Sequence, residues 1–126
     1  MSGHRITADL LKADTVLLDP GDTGTIRAED WYNVVELVMA GSGEARTLAD
    51  PAKSGQLLLL TCKTHGGGNL DVTCSTVHNI ANESVLRFAA AEESILLFAI
   101  PNGTSGYKWS SGSSTTGLGD APTFPS

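Results

Sequence analysis

The chain carries little charge of either sign. Charged residues make up 17% of its 126 residues, with 8 Lys and Arg against 14 Asp and Glu, and the formal net charge is −6. Binding to nucleic acid needs clustered Lys and Arg that displace counterions from the phosphates. The basic residues of this chain are scattered, so no nucleic-acid partner is predicted.

Long apolar runs are also missing. None approaches the roughly 20 residues that a helix needs to span a bilayer. Residues 1–9 lack the apolar stretch that forms the centre of a secretory signal. We therefore expect no membrane partner and no signal peptide.

Cysteine and histidine are too few and too far apart to suggest a metal site. His4, His65 and His78 share no ligand spacing with one another or with Cys62 and Cys74. Zinc ligands, in contrast, come in pairs two to four residues apart. We predict no metal-ligating residue, and we expect His65 to be an exposed turn residue.

Residue patterns that support catalysis are absent as well. The neighbouring carboxylates Glu29-Asp30 and Glu92-Glu93 lie in predicted turns and are expected to be solvated. The glycine triplet at 66–68 is not followed by the Lys-Ser/Thr and helix of a phosphate-binding loop. No serine lies in a G-x-S-x-G turn. The sequence predicts no catalytic residue, no cofactor-binding residue and no enzymatic activity.

The sequence is rich instead in Gly, Ser, Thr and short apolar runs, a composition that suits strands and turns. Turn signals such as Asp19-Pro20-Gly21 separate the runs. The predicted strands cover residues 15–18, 24–28, 33–39, 44–48, 56–63, 69–75, 77–80, 84–89, 94–100 and 106–111. A competing interpretation makes residues 86–99 one helix, because Ala, Glu and Leu favour helices. Against it, the apolar positions fill both faces of that segment.

Two pairs of these strands are predicted to form hairpins. Residues 33–39 and 44–48 flank a short loop that contains glycine. Residues 56–63 and 69–75 flank the glycine triplet, and a three-residue loop there would pair Lys63 with Asp71 and Cys62 with Val72. Every pair in that register matches in polarity, as cross-strand energetics favour.

The same register predicts the state of the cysteines. Cys62 and Cys74 would share one face of the hairpin but lie diagonally, roughly 7–8 Å apart. Bridged cysteines usually have their Cα atoms about 4.4–6.8 Å apart. We predict two buried free thiols in a reducing compartment.

Together the strands predict an all-β fold, a small antiparallel β-sandwich or barrel (jelly-roll-like) with an extended N-terminal arm and a C-terminal tail. Residues 1–32 form the arm or a short hairpin, residues 33–110 the β-sandwich or barrel domain, and residues 111–126 a flexible Gly/Ser/Pro tail. The runs QLLLL, SVLRF and SILLFAI are apolar on both faces. Apolar surface beyond the needs of one core indicates a partner.

The aromatic residues allow two interpretations. Trp31-Tyr32, and Tyr107 with Trp109 on one face of the last strand, suit stacking on sugars. They also suit burial in the core or in an interface. The carbohydrate-binding interpretation predicts that Trp31 or Trp109 is exposed.

The order of segments in residues 34–109 resembles a small β-module of structural proteins from tailed phages. An EARTL strand and a Pro/Gly loop lead into QLLLLTCK. A Gly-rich bend, the alternating strand NLDVTCS, the apolar strands SVLRF and SILLFAI, and the aromatic strand GYKW complete the order. Such modules look like capsid decoration (cement) proteins and like segments of virion fibres and head spikes.

The resemblance implies a structural virion protein with no catalytic residues. A capsid decoration protein of this kind is made in the host cytoplasm, binds the outer surface of the phage head and stabilises contacts between major capsid subunits. Its implied partners are the major capsid protein and further copies of itself in a homotrimer. The alternatives are a tail-fibre, head-spike or other virion component and, from a different class, a carbohydrate-binding β-sandwich.

Overall fold

The computed structural model describes residues 16–74, 77–78, 84–104, 106–111 and 123. Over these residues the protein is all-β, as predicted, and contains no helix. In chain order the strands are β1 (Val16–Leu17), β2 (Gly24–Ile26), β3 (Tyr32–Val38), β4 (Glu44–Leu48), β5 (Leu57–Thr64), β6 (Leu70–Cys74), β7 (Val77–His78), β8 (Val85–Phe88), β9 (Ser94–Pro101) and β10 (Tyr107–Ser110).

The described strands form two mixed sheets. The six-stranded sheet has the order β1-β3-β5-β9-β10-β7, and the four-stranded sheet has the order β2-β4-β6-β8. Strands β1, β3 and β5 run parallel, as do β2, β4 and β6. The expectation of a purely antiparallel fold is therefore wrong. The barrel alternative is wrong too, because neither sheet closes on itself.

One hydrophobic core lies between the two sheets. Alternate residues of each strand point into it, such as Leu58 and Leu60 of β5, Val72 of β6 and Leu97 of β9. Period-two alternation places successive side chains on opposite faces of a strand. The sequence therefore predicts the core-facing residues where a strand alternates, as in NLDVTCS, but not in the QLLLL run, where apolar residues fill both faces.

The strand pairs that were predicted to be hairpins are divided between the sheets. Strand β3 belongs to the six-stranded sheet and β4 to the four-stranded sheet, and the same holds for β1 and β2 and for β5 and β6. The predicted pairing of Lys63 with Asp71 and Cys62 with Val72 is wrong, because β5 pairs with β3 and β9 whereas β6 pairs with β4 and β8. The inner residues of β5 and β6 contribute to one core from opposite sheets. The matching polarity of the two strands therefore reflected this shared core and not pairing within one sheet.

The glycine triplet is thus a corner between sheets, and it packs against the β3–β4 corner. The amide of Gly43 donates to the carbonyl of Gly67 (3.1 Å), and the amide of Glu44 donates to the carbonyl of Asn69 (3.0 Å). Gly67 and Gly68 have φ values of 102° and 66°, which favour glycine. The two corners lie side by side because β3 with β5, and β4 with β6, are parallel neighbours.

The second half of the chain adds antiparallel strands to this parallel arrangement. Strand β8 pairs with β6, and β9 pairs with β5. The helix alternative for residues 86–99 is wrong, since this stretch contains most of β8 and β9. The predicted strand at 77–80 is seen as β7, which lies at the edge of its sheet beside β10. The predicted strand ends at Thr15, Ser75 and 79–80 lie outside the described residues.

Gly66 provides a test of the corner packing. A Cβ atom at Gly66 would overlap the carbonyl oxygen of Gly41, whereas a Cβ at Gly41 would have only a Glu44 carboxylate oxygen, 3.8 Å away, within 4 Å. We expect Gly66→Ala to lower the free energy of unfolding by about 1–3 kcal/mol, because backbone must move. Gly41→Ala, the matched control, should change it by no more than about 0.5 kcal/mol. Urea unfolding of both variants checks this, and equal effects would contradict the packing.

Candidate functional site

The outer face of the six-stranded sheet is apolar at its centre. Two rows of side chains cross strands β3, β5 and β9 on the face turned away from the core. The rows are Tyr32–Leu57–Phe98 and Val34–Leu59–Leu96. We call these six residues the apolar outer face.

This face is accessible in the described part of the chain. Leu96 is 39% exposed and Phe98 is 42% exposed, while the other four residues are half-buried. Trp31, directly before β3, is 60% exposed. The QLLLL strand is therefore buried on its core face and half-buried on its outer face. Clustered exposed apolar residues of this kind mark interaction surfaces.

The outer face of the four-stranded sheet has the opposite character. Its strands align Thr25, Thr47 and Thr73 in one row, and all three are exposed. Asp71 and Arg87 follow in the next row, joined by an ion pair of 2.8 Å. Sheets with one face on the core usually carry polar residues on the solvated face. The apolar outer face of the six-stranded sheet departs from this pattern and is therefore the candidate functional surface.

Polar residues border the apolar outer face at the end where β9 begins. Glu36, Thr61 and Ser94 occupy the next row across the same three strands. The Ser94 hydroxyl donates to the Thr61 hydroxyl oxygen at 2.7 Å. An apolar centre with a polar rim is the usual arrangement of a protein–protein interface.

Buried amides hold the loops at the opposite end, beside Trp31. Gln56 is fully buried; its amide nitrogen donates to the carbonyls of Ala28 and Asp30, and its amide oxygen accepts from the backbone of Ala52 and Lys53. All hydrogen-bonding positions of this side chain are thus used. The segment that precedes Trp31 is therefore fixed before any partner binds.

Asn33 and Lys53 add to this end of the surface. The Asn33 amide nitrogen donates to the carbonyls of Asp30 and Leu57, at 2.7 and 3.0 Å. The Lys53 ammonium lies 4.4 Å from the centre of the Trp31 ring, within the range of a cation–π contact. These contacts hold the loop that carries the exposed Trp31 ring.

A buried ion pair joins the two sheets. The guanidinium of Arg46 on β4 donates to both carboxylate oxygens of Asp19, at 2.8 and 3.0 Å, and to the carbonyl of Val38 on β3 at 3.2 Å. Arg46 is 1% exposed. A second carboxylate, that of Glu44, lies 3.0 Å from the same guanidinium. Arg46 thereby connects β4, the end of β3 and the β1–β2 loop.

The two carboxylates extend this network to the backbone. Asp19 also accepts from the amides of Gly21 and Val38, and Glu44 accepts from the amides of Ala40 and Gly41. Burial works to raise the pKa of Asp19, but the hydrogen bonds from Arg46, Val38 and Gly21 outweigh it and hold the pKa below its usual value of 3.8. The network therefore stabilises the corner when the Asp19 carboxylate is ionised.

The cysteines are buried free thiols, as predicted. The geometric reason was wrong, because Cys62 lies in the six-stranded sheet and Cys74 in the four-stranded sheet. Burial raises the pKa of Cys62, and it raises the pKa of Cys74 to about 12. Since the thiolate is the nucleophile, neither sulfur is prepared for covalent chemistry.

His65 differs from expectation, whereas Trp109 agrees with burial in the core, one of its two interpretations. His65 is half-buried rather than exposed; its Nδ1 accepts from the amide of Gly67, and its Nε2 lies 3.3 Å from the carbonyl of Phe88. It ties the glycine corner to β8. Trp109 shares a strand face with Tyr107 as predicted, but it is fully buried and donates to the carbonyl of Ala49.

The carboxylate pairs that were expected to be solvated behave in two ways. Glu29 and Asp30 are exposed. Glu92 is exposed too, but Glu93 is half-buried and accepts from the amide of Ala89 at 2.7 Å. Glu93 therefore closes the β8–β9 turn, a structural role that the adjacent-acid pattern did not reveal.

No helix among the described residues is long and apolar enough to cross a membrane. Within the same residues, no group of three or more His, Cys, Asp or Glu side chains is placed to hold a metal ion. No family model matches this chain, and no curated protein or solved structure matches it either.

Removal of the Arg46 side chain tests the buried network. We expect Arg46→Met to lower the free energy of unfolding by about 3–5 kcal/mol, because Asp19 would stay buried without its partner. Arg87→Met is the matched control, since its ion pair with Asp71 has the same bidentate form on the surface. Urea unfolding should show a much smaller loss for the control, and equal losses would contradict the role of Arg46.

Asp19 also predicts the response to acid. Its pKa in the folded protein is lowered, so its ionised form contributes stability above the unfolded pKa of about 3.9. That contribution is lost as the pH falls through the lower folded pKa. The stability difference between wild type and Asp19→Asn should therefore be constant above about pH 5 and shrink towards pH 2. Unfolding free energies measured from pH 7 to 2 check this; a difference that grows on acidification would contradict it.

Proposed function

We propose that this chain is a structural virion protein of a tailed phage. Its role is that of a capsid decoration (cement) protein on the outer surface of the head, where it stabilises contacts between major capsid subunits. Two observations support the proposal: the order of segments in residues 34–109 resembles the phage β-module, and one sheet has an apolar outer face. The apolar outer face is the observation that carries it.

A second copy of the chain is the occupant that we assign to this face. The whole chain carries a net charge of −6, so two copies repel each other through most of their surfaces. The six residues of the apolar outer face carry no charge, and the aromatic Tyr32, Phe98 and neighbouring Trp31 are of the kind enriched in interfaces. Association through this face buries apolar area, and the carboxylate of Glu36 lies in the row at its border.

The full proposal is a homotrimer that is made in the host cytoplasm and attaches to the assembled head. The proposal includes a sandwich-like, jelly-roll-type arrangement of the two sheets, with an N-terminal arm and a C-terminal tail. The major capsid protein is then the second partner. No catalytic chemistry is required of the protein in this role.

Exposure of Trp31 favours a second candidate function, carbohydrate binding. Trp31 is 60% exposed, which that interpretation predicted, whereas Trp109 is fully buried and unavailable for stacking. One accessible tryptophan satisfies that prediction, but it provides a small platform for stacking. Titration with a panel of glycans, followed by tryptophan fluorescence, separates the candidates, since a saturable change would support a carbohydrate site at Trp31.

Charge substitutions on the two outer faces test the self-association. We expect the wild-type protein to have the native mass of a trimer, and Leu96→Lys to shift it to the monomer, because a buried unpaired ammonium opposes association. Thr47→Lys is the matched control, at an exposed position on the polar outer face of the other sheet. Light scattering coupled to size exclusion measures both masses. A monomeric wild type, or dissociation by Thr47→Lys alone, would contradict the assigned surface.

The location in the particle tests the rest of the proposal. Immuno-electron microscopy of virions of the phage that encodes this chain should label the head surface. Saturable binding of the purified protein to capsids that lack it should follow. Label confined to the tail or its fibres would replace the decoration role with the fibre alternative, and virions without the protein would overturn both.

A further inference from the structure

At the β8 edge of the four-stranded sheet, Thr123 is the residue of the C-terminal stretch for which the structure describes a pairing. Thr123 and Arg87 form an isolated antiparallel bridge. The amide of each donates to the carbonyl of the other, at 2.8 and 2.9 Å. Strand β8 is the last strand of its sheet, and such an edge offers unpaired backbone groups to an incoming strand.

The sequence around Thr123 limits how far this pairing extends. Thr123 lies between Pro122 and Phe124, and Pro125 follows. In an antiparallel ladder the hydrogen-bonded positions recur every second residue, so position 125 would be the next to donate towards β8. Proline has no amide hydrogen, and the ladder must stop there. Pairing beyond Thr123 towards the C-terminus is therefore limited.

The connection that leads to Thr123 is longer than the connections at the two corners. Within the domain, five residues (39–43) take the chain from β3 to β4, and five (65–69) take it from β5 to β6, each time from one sheet to the other. Twelve residues (111–122) separate β10, in the six-stranded sheet, from Thr123 at the other sheet's edge. An extended chain spans up to about 3.3–3.6 Å per residue, so this connection has the length to reach a neighbouring subunit.

We propose that the β8 edge is a strand-acceptor site, and that its occupant in the assembled protein is the C-terminal segment around Thr123 of a second copy. The Arg87–Thr123 pairing seen within one chain then forms between chains, as in domain swapping. This inference rests on the proposed homo-oligomer and adds a second, backbone-mediated contact to the one at the apolar outer face. The docked segment would also cover an edge that would otherwise be free to aggregate.

A disulfide trap tests which chain supplies the segment. Directly opposed residues of a hydrogen-bonded antiparallel pair have Cα atoms about 5.5 Å apart, within disulfide range. The double variant Arg87→Cys/Thr123→Cys in the full chain should form a disulfide under mild oxidation, and the native Cys62 and Cys74 are buried. We expect bonds between chains, seen as covalent oligomers by non-reducing electrophoresis. The control Thr47→Cys/Thr123→Cys should stay unlinked, because Thr47 on β4 is separated from β8 by β6.

The outcomes separate this inference from the proposed function. Bonds only within chains, in a protein whose native mass is oligomeric, would overturn the exchange and leave the oligomer intact. Bonds only within chains in a monomeric protein would overturn both. No bond at all in the double variant would overturn the pairing itself.

A second pair of variants does not depend on oxidation. Thr123→Pro removes the amide that donates to Arg87, whereas Thr123→Val keeps it. If the segment is exchanged, Thr123→Pro should raise the concentration at which the oligomer dissociates by about fivefold or more, the effect of losing one backbone hydrogen bond per contact, and Thr123→Val should not. Equal dissociation of both variants and wild type would overturn the exchange, since a segment bound within its own chain does not affect the oligomer.

Discussion

The buried pairing of Arg46 with Asp19 is the interaction on which the arrangement of the two sheets depends. The Arg46 guanidinium donates to the carboxylate of Asp19, in the β1–β2 loop, and to the carbonyl of Val38 on β3. Arg46 itself lies on β4, which belongs to the other sheet. A charge with 1% exposure is tolerated only when it is fully paired. The network therefore fixes where the chain crosses from one sheet to the other. This crossing places β1, β3 and β5 in one sheet and β2, β4 and β6 in the other.

This crossing also determines which surfaces remain for partners. Because consecutive strands alternate between the sheets, the apolar runs of β5 and β9 become neighbours in the six-stranded sheet, and their second apolar faces combine into one outward surface. The threonines of β2, β4 and β6 combine on the other outer face. One molecule thus has a polar outer face and an apolar one, and hydrogen bonds from Gln56 and Asn33 hold the loops beside the apolar outer face.

A rigid face and an exchangeable edge would have complementary roles in an assembly. The apolar outer face provides area, which drives association without much directionality. The β8 edge provides two backbone hydrogen bonds, which require one register. Pro125 lacks the amide hydrogen that a longer ladder would need at that position, which limits pairing beyond Thr123 towards the C-terminus.

The sequence by itself determined the all-β class, the approximate positions of the described strands, the inward face of the alternating strand NLDVTCS and the buried state of both thiols, because alternation and turn residues are local properties. It also contained the signal of surplus leucine, and an Arg in the inward register of EARTL that sequence reasoning missed. Strand partners were decided only by the tertiary structure. Alternation indicates that Cys62 and Val72 face a core. A hairpin would place them side by side in one sheet, and two packed sheets place them on opposite sides of one core, so both arrangements agree with the pattern. The choice between them depends on the packing of both sheets and on the Arg46 network at the corner.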